Sequence, residues 1–261
     1  MHGLGNDYLY INCLEDRDML KGVDLIGLSK KYSNRKNSIG SDGIILILPS
    51  KKADFAMKIF NADGSEAEMC GNVIRCVAKY IYDRKISGKK ELAIDTGDGI
   101  KKTRIVYEKD GKAINVEVDM GIPNIKNDEI DIGGKKYNVK IVSTGNPHCI
   151  VYVDNYDFDY RELGKQIENH NKFPNRINVE FVKVNNREDI AMRVWERGSG
   201  ETKACGTGAC ASVAAAVSDN KTGREVTVHL LGGDLNVKLG NDNHLYMTGP
   251  AEEMESGEIE I

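Results

Sequence analysis

Glu66-Ala67-Glu68-Met69-Cys70-Gly71-Asn72 and Glu201-Thr202-Lys203-Ala204-Cys205-Gly206-Thr207 are two stretches of one 261-residue chain written to the same pattern. In each, Glu stands four positions before Cys, Gly follows the Cys directly, and an apolar stretch of helical character comes next. Ten positions before each cysteine lies an aromatic residue, Phe60 or Trp195, with a polar residue after it, Asn61 or Glu196. A single cysteine ahead of an apolar helix is ordinarily a packing residue. Packing does not require the flanks to repeat as well, so the pattern predicts a duplicated architecture with two half-sites that face each other. Two thiols facing one small molecule suit a reaction that needs chemistry on both faces of one carbon.

Working outward, β-type runs dominate. Gly43–Leu48, Leu92–Asp95, Arg104–Tyr107 and Ile114–Val118 read as one strand series, with turn residues between them. Val139–Ser143, Cys149–Val153, Asn178–Val184, Ile190–Trp195, Glu225–Leu230, Leu235–Leu239 and Leu245–Thr248 form a second. Lys109-Asp110-Gly111-Lys112 is a hairpin signal, because Asp-Gly supplies the positive φ angles of a tight turn. Four helices are predicted: Val23–Tyr32, Tyr160–His170, Asn72–Arg84 with Ile74, Val77 and Ile81 on one stripe, and the Ala-rich Gly206–Ser218, buried nearly all round. The fold class is α/β: two similar, pseudo-symmetric domains, each a β-rich sheet or barrel wrapped around a central helix. The domains are expected over 1–120 and 121–249, divided at the turn residues Gly121-Ile122-Pro123-Asn124, with the tail 250–261 packing on the first.

The bulk numbers narrow the function classes. Hydrophobic residues at 40% and charged residues at 29% describe a globular chain with a substantial core. A net charge of −4 argues against nucleic acid or an anionic membrane as the main partner. No apolar run spans a bilayer and Met1–Asp7 lacks a signal-peptide pattern, so a cytoplasmic protein is expected. Six cysteines in a chain this long do not make a disulfide framework and are expected to be thiols. Their spacings, Cys70-x5-Cys76 and Cys205-x4-Cys210, are not those of zinc modules, and no metal site is predicted. Cys13, Cys76, Cys149 and Cys210 read as structural.

A cysteine at a helix start meets backbone N–H groups without helical partners and the positive end of the dipole, which predicts a lowered thiol pKa. Gly71-Asn72 and Gly206-Thr207 offer further N–H groups to an anion. A carboxylate held there would have its α-carbon within reach of both thiols. One cysteine, as thiolate, would remove the α-proton while the other delivers a proton to the opposite face. The N–H groups would stabilise the charge that develops on the carboxylate. Inversion at carbon then needs no cofactor.

These residues resemble the diaminopimelate epimerase family over the whole chain in order. The match runs from Met1-His2-Gly3-Leu4-Gly5-Asn6-Asp7 through Phe60-Asn61-Ala62-Asp63-Gly64-Ser65-Glu66, Cys70-Gly71-Asn72 with Arg75-Cys76, and Gly145-Asn146-Pro147-His148-Cys149. It continues with Asn178-Val179, Trp195-Glu196-Arg197-Gly198 and Ala204-Cys205-Gly206-Thr207-Gly208-Ala209-Cys210-Ala211. The resemblance implies epimerisation of LL-2,6-diaminopimelate to the meso form in lysine and cell-wall precursor biosynthesis, in a homodimer without cofactor. It implies Cys70 and Cys205 as the acid/base pair, with Glu196 and His148 in the catalytic group. Gly71, Asn72, Gly206 and Thr207 would hold the reacting carboxylate. Asn61 and Glu196 would bind an amino group, Arg197 with Asn146 and Asn178 the distal carboxylate, and Asn6 would complete the distal end. A bidentate Arg suits a carboxylate that does not react, although the residue types alone also allow Arg197 a surface ion pair and His148 a buried hydrogen-bonded ring.

Two departures from the family pattern stand out. Val73 replaces a glycine after Cys-Gly-Asn, which displaces the first half-site if that position needs positive φ and is tolerable if it lies in the first helical turn. Family members also carry a short strand before the Met-His-Gly segment, so a weaker sheet edge is expected near Asn6. Two other functions fit the twin frames: a racemase or isomerase of the same fold acting on another amino or imino acid, and a thiol switch that closes Cys70 and Cys205 into a disulfide.

Overall fold

The structure, a computed structural model, describes residues 1–15 and 19–260. The chain forms two compact units, Met1–Val118 with Gly249–Ile261, and Asp119–Thr248. In chain order the first holds β1 (His2–Gly3), β2 (Asn6–Asp7), β3 (Leu9–Asn12), α1 (Leu25–Tyr32), β4 (Gly43–Pro49), β5 (Phe55–Asn61), β6 (Glu66–Ala67), α2 (Gly71–Asp83), β7 (Glu91–Thr96), β8 (Gly99–Lys109) and the greater part of β9 (Lys112–Gly121). The second holds β10 (Asn124–Ile132), β11 (Lys135–Ser143), β12 (Pro147–Tyr152), α3 (Tyr160–Glu168), β13 (Asn178–Asn186), β14 (Asp189–Glu196), β15 (Gly200–Glu201), α4 (Gly206–Ser218), β16 (Glu225–Leu230), β17 (Gly233–Leu239) and most of β18 (Leu245–Pro250).

The duplication is visible in the pairing. In the first unit β3 and β4 are parallel, β4 and β5 antiparallel, β5 and β7 parallel, and β7–β8 and β8–β9 antiparallel. In the second unit β12–β13, β13–β14, β14–β16, β16–β17 and β17–β18 repeat that order of senses without exception. One helix fills the first parallel crossover of each unit (α1, α3), and another follows a two-residue strand in the second (α2, α4). The α/β class and the strand-wrapped helix expected from sequence are both present. The second unit adds an antiparallel hairpin, β10–β11, at the edge beyond β12.

The central helices are buried for different reasons. Every residue of α4 from Gly208 to Ala216 is buried, and its Ala-rich surface lets β11, β12, β13, β14, β16 and β17 approach from all sides. Ser212 satisfies its hydroxyl within the helix by donating to Gly208 O at 2.8 Å. Helix α2 buries two cations, each held by several acceptors. Lys79 donates to Asp83 and to Ala113 O, both at 2.6 Å, and Arg75 donates to Gly71 O, Asn72 Oδ1 and Pro250 O. The tail that follows β18 closes the first unit by pairing Glu252 with His2 through two backbone bonds of 2.9 Å. Separate cores form under α1 (Leu28, Tyr32, Ile44, Leu46, Phe60) and under α3 (Cys149, Val151, Ile167, Val179, Phe181).

Several sequence expectations need adjustment. β3, β5 and β10 were not among the expected strands. β10 exposes most of its residues, so it carries no apolar alternation to read, and it begins at Asn124, where the sequence suggested a turn. Helix α1 starts two residues late because Asp24 caps it, accepting from Gly27 N at 3.0 Å. The Asp110-Gly111 turn has φ values of 53° and 73°, as its composition predicted. At the N-terminus, β1 pairs β2 and His2 bridges Glu252. Among the described residues no helix is long and apolar enough to cross a membrane.

Val73 is resolved by position. It is the third residue of α2, fully buried, and it is not among the residues with positive φ. A β-branched side chain is therefore accommodated there without backbone strain. Val73→Gly should lower stability by about 2 kcal/mol or more, from lost burial and helix propensity, without a gain in any activity of the first half-site. Chemical denaturation and rate assays on the purified variant check both parts.

Candidate active site

The twin frames have a structural reason. In the first, Phe60 of β5 pairs with Glu66 of β6; in the second, Trp195 of β14 pairs with Glu201 of β15. The aromatic and the glutamate that recur in sequence are thus partners across a small antiparallel turn. That turn places Asn61 or Glu196 at the strand end and aims the chain into a cysteine at the helix N-cap. Cys70 and Cys205 both have extended backbones there, with φ of −144° and −126°. The first helical bonds are Ile74 N to Cys70 O (3.0 Å) and Ala209 N to Cys205 O (2.9 Å). The N–H groups of Gly71, Asn72, Gly206 and Thr207 consequently have no acceptor inside their helices.

In the first half-site Cys70 is half-buried and its thiol donates to Asn6 Oδ1 at 3.4 Å. Asn6 is fixed from behind, its Nδ2 donating to Asp42 Oδ2 at 2.7 Å, while Arg35 clamps Asp42 and Asp7. Asn61 accepts from Tyr8 Oη at 3.2 Å and donates to Ser65 Oγ at 3.0 Å. Buried Asn72 turns its carboxamide oxygen inward to Arg75 Nη2, 3.0 Å away. Asn6 therefore belongs to the Cys70 half-site. Asp42, Arg35 and Tyr8, which support it, had no signal in the sequence beyond their polarity.

In the second half-site Cys205 is buried; its sulfur accepts from Gly208 N at 3.4 Å and lies 3.4 Å from Thr207 Oγ1. Burial pushes this thiol well above its ordinary pKa, and the negative charges of Glu196 and Glu180 push the same way. The Thr207 hydroxyl and the Gly208 N–H pull against that shift and do not overcome it. The lowered pKa expected of a helix-start cysteine is thus reversed at Cys205, because desolvation outweighs the helix end. Glu196 is itself raised, first by burial and then by Glu180, against hydrogen bonds from Thr202 and Cys205.

His148 lies on β12 directly beside Asn178 of β13, and both ring nitrogens are engaged: Nδ1 with Glu180 Oε1 at 2.7 Å, Nε2 with Asn146 Oδ1 at 2.9 Å. Asn178 donates to Pro147 O and accepts the backbone N–H of Arg197, each at 2.9 Å, leaving one amide proton for a ligand. The Arg197 side chain is exposed and reaches Asn175 O at 3.4 Å. Glu168 holds the adjoining turn, accepting from Trp195 Nε1 (2.7 Å) and Gly198 N (2.8 Å). Glu180 was missed. Its signal was available, since strand alternation puts it on the same face as Asn178 while Val179 and Phe181 enter the core under α3.

His148, Glu180 and Cys205 present donor atoms within 4.8 Å of one another, a set of types that zinc accepts. The 2.7 Å between His148 Nδ1 and Glu180 Oε1 is a hydrogen-bond distance. Two ligands of one tetrahedral zinc lie about 3.3 Å apart, so the geometry is that of a proton-sharing pair. Burial raises the thiols of three other cysteines, Cys13 to about 11 and Cys76 and Cys149 also upward, as expected of inert core groups; Cys210 is buried as well. A surface cavity of about 530 Å³ lined by Tyr137, Val151, Phe158 and Leu163 contains none of the half-site residues.

The fold is that of a class of duplicated α/β proteins built around two central helices. It is shared with a PhzF-family phenazine biosynthesis protein of Bacillus anthracis (TM-score 0.71, 18% identity, covering 95% of this chain and 91% of that one). A hydroxyproline epimerase of Agrobacterium vitis also has it (TM-score 0.65, 16% identity, covering 90% and 80%). Sequence narrows the class. The family model described as diaminopimelate epimerase matches residues 1–126 and 140–254. Proteins of that name from Acetivibrio thermocellus and Methanococcus maripaludis are each 48% identical over 277 residues, covering 100% of this chain and 97% or 98% of theirs. The chain belongs to the diaminopimelate epimerase family.

Gly208 makes room for Glu180: a Cβ at position 208 would lie 2.5 Å from Glu180 Oε1. Glu180 is fully buried and tied to His148, so it cannot swing aside freely. Gly208→Ala should cost about 1–3 kcal/mol by overpacking and lower any activity of the Cys205 half-site; thermal unfolding and rate assays check this.

Proposed function

We propose that this chain is a cofactor-independent amino-acid epimerase, an isomerase that converts LL-2,6-diaminopimelate to the meso form. The observation that carries the reading is the pair of cysteines at two equivalent helix starts, each with N–H groups free of helical acceptors, in a chain about half identical to relatives named for this reaction. The α-carboxylate of the substrate is held by the amides of Gly71, Asn72, Gly206 and Thr207. Asn61 and Glu196 bind the α-amino group. Arg197, with Asn146 and Asn178, takes the distal carboxylate. Asn6, which also bonds Cys70, completes the distal end, and His148 lines the site in the catalytic group beside Asn146.

In the proposed reaction one cysteine, as thiolate, takes the α-proton, and charge flows onto the carboxylate among its N–H donors. The other cysteine, as thiol, gives its proton to the opposite face. The carbon is inverted, the thiol and thiolate exchange places, and no electrons are gained or lost. The raised pKa of Cys205 supports a resting thiol at that position, which makes it the proton donor for one direction of the reaction. The biological setting proposed is lysine and cell-wall precursor biosynthesis in the cytoplasm, with the enzyme as a homodimer. Light scattering of the purified protein tests the last point.

Incubation with LL-diaminopimelate in deuterated water and reductant should place deuterium at the α-carbon as the meso isomer accumulates; reduced, folded protein without exchange would refute the reading. Cys70→Ser and Cys205→Ser should each lower turnover by about 100-fold or more, as expected for loss of an acid/base group. Arg197→Met should act chiefly through a raised KM for diaminopimelate, and full affinity in that variant would remove Arg197 from the distal site.

A further inference from the structure

Glu180 lies outside both cysteine frames, yet it is fully buried on the face of β13 that carries Asn178. One oxygen is 2.7 Å from His148 Nδ1, while Oε2 has no hydrogen-bond partner among the described residues. An unpaired buried carboxylate oxygen is costly and calls for a reason. His148, also fully buried, passes the contact on, its Nε2 lying 2.9 Å from Asn146 Oδ1. The two ring nitrogens thus tie the buried carboxylate to the Asn146 amide through one rigid imidazole. The relay runs from the core to half-buried Asn146 and turns the amide NH₂ of Asn146 away from the ring. The same carboxylate has donor atoms of His148 and Cys205 within 4.8 Å.

We propose that Glu180 is a positioning residue of the Cys205 half-site: it fixes His148 and through it Asn146, and its charge holds Cys205 as a thiol between turnovers. The titratable groups around it are His148 and Cys149 on β12, Glu196 at the end of β14 and Cys205 at the start of α4. Among these His148 alone can carry positive charge, and its ring nitrogens face Glu180 and Asn146, whereas the sulfur of Cys205 meets Thr207 and Gly208. Glu196 and Glu180 therefore both oppose ionisation of the Cys205 thiol, in the direction its pKa shows. Glycine at 208 is the matching feature on the helix, because the carboxylate occupies the space a side chain would need. The catalytic part of this inference rests on the epimerase reading; the titration part does not.

Glu180→Gln keeps the shape and removes the charge. Cys205 ionisation is read from ultraviolet thiolate absorbance, as the difference between each protein and its Cys205→Ala counterpart. Its midpoint should fall by at least about one pH unit in Glu180→Gln, as loss of a charge at this range in a partly screened interior predicts. Turnover should fall about tenfold, and the pH profile of kcat should move in the same direction as the thiol. Glu180→Asp keeps the charge and shortens the reach, so turnover should fall while the Cys205 midpoint stays near that of the parent. An unmoved Cys205 midpoint in folded Glu180→Gln, or full turnover in both variants, would overturn the proposal. If Glu180→Gln fails to fold, Glu180→Asp decides: full turnover, or a Cys205 midpoint that falls with the reach, refutes it. A parent protein without α-proton exchange would sink the epimerase reading instead and leave the titration result standing.

Discussion

The start of a buried helix imposes the constraint from which the rest of each unit follows. An α-helix leaves its first N–H groups without internal acceptors, and burying them without partners is expensive. On the surface, water meets that need. In this chain α4 is enclosed by strands and α2 is buried over most of its length, and each starts with a cysteine at the N-cap and glycine directly after it. Such a point can accept an anion through its free N–H groups, which is the basis of the proposed carboxylate site. The strand senses, the small turn ahead of each cysteine and the Ala-rich surface of α4 all serve to bring that helix end to a fixed place.

Desolvation gives the two cysteines different surroundings despite equivalent backbone positions. Cys70 is half-buried and donates to a neutral carboxamide, whereas Cys205 is buried against two carboxylates. Helix dipoles contribute fractions of a unit charge, while a full carboxylate charge in a poorly hydrated site contributes more. At Cys205 desolvation by burial acts first and the two carboxylate charges add to it, against the fractional charge of the helix end. The repeat supplies equal geometry, and the side chains around it supply unequal electrostatics, which a reaction with one acid and one base on opposite faces can use.

Glu180 illustrates how such a site carries groups that no motif marks. It is a charged residue in the middle of a strand that otherwise reads as core, and its cost is borne because His148 answers one oxygen and Gly208 leaves it space. Arg75 and Lys79 in α2 show the opposite solution: buried cations with their donors answered by carbonyl and carboxamide oxygens and a carboxylate. Those cations hold a helix in place. Glu180 is left with an oxygen to spare beside the Cys205 thiol.

Much of this was legible in the amino-acid order. Alternating apolar runs, the Asp110-Gly111 turn and the two cysteine frames are local signals, and they determined the α/β class, the duplication, the four helices and the helix-start cysteines. The tertiary structure decided what depends on partners distant in sequence. It paired Phe60 with Glu66 and Trp195 with Glu201, which explains why those residues recur. It put Val73 inside a helical turn, where the backbone asks nothing special of it. It set Asn6 against Cys70, joined Glu180 to His148, and raised the Cys205 thiol that a helix end alone would have lowered. The physical reason is that hydrogen-bond direction and hydrophobic periodicity are written residue by residue, whereas burial and charge at a point are sums over every element that packs there.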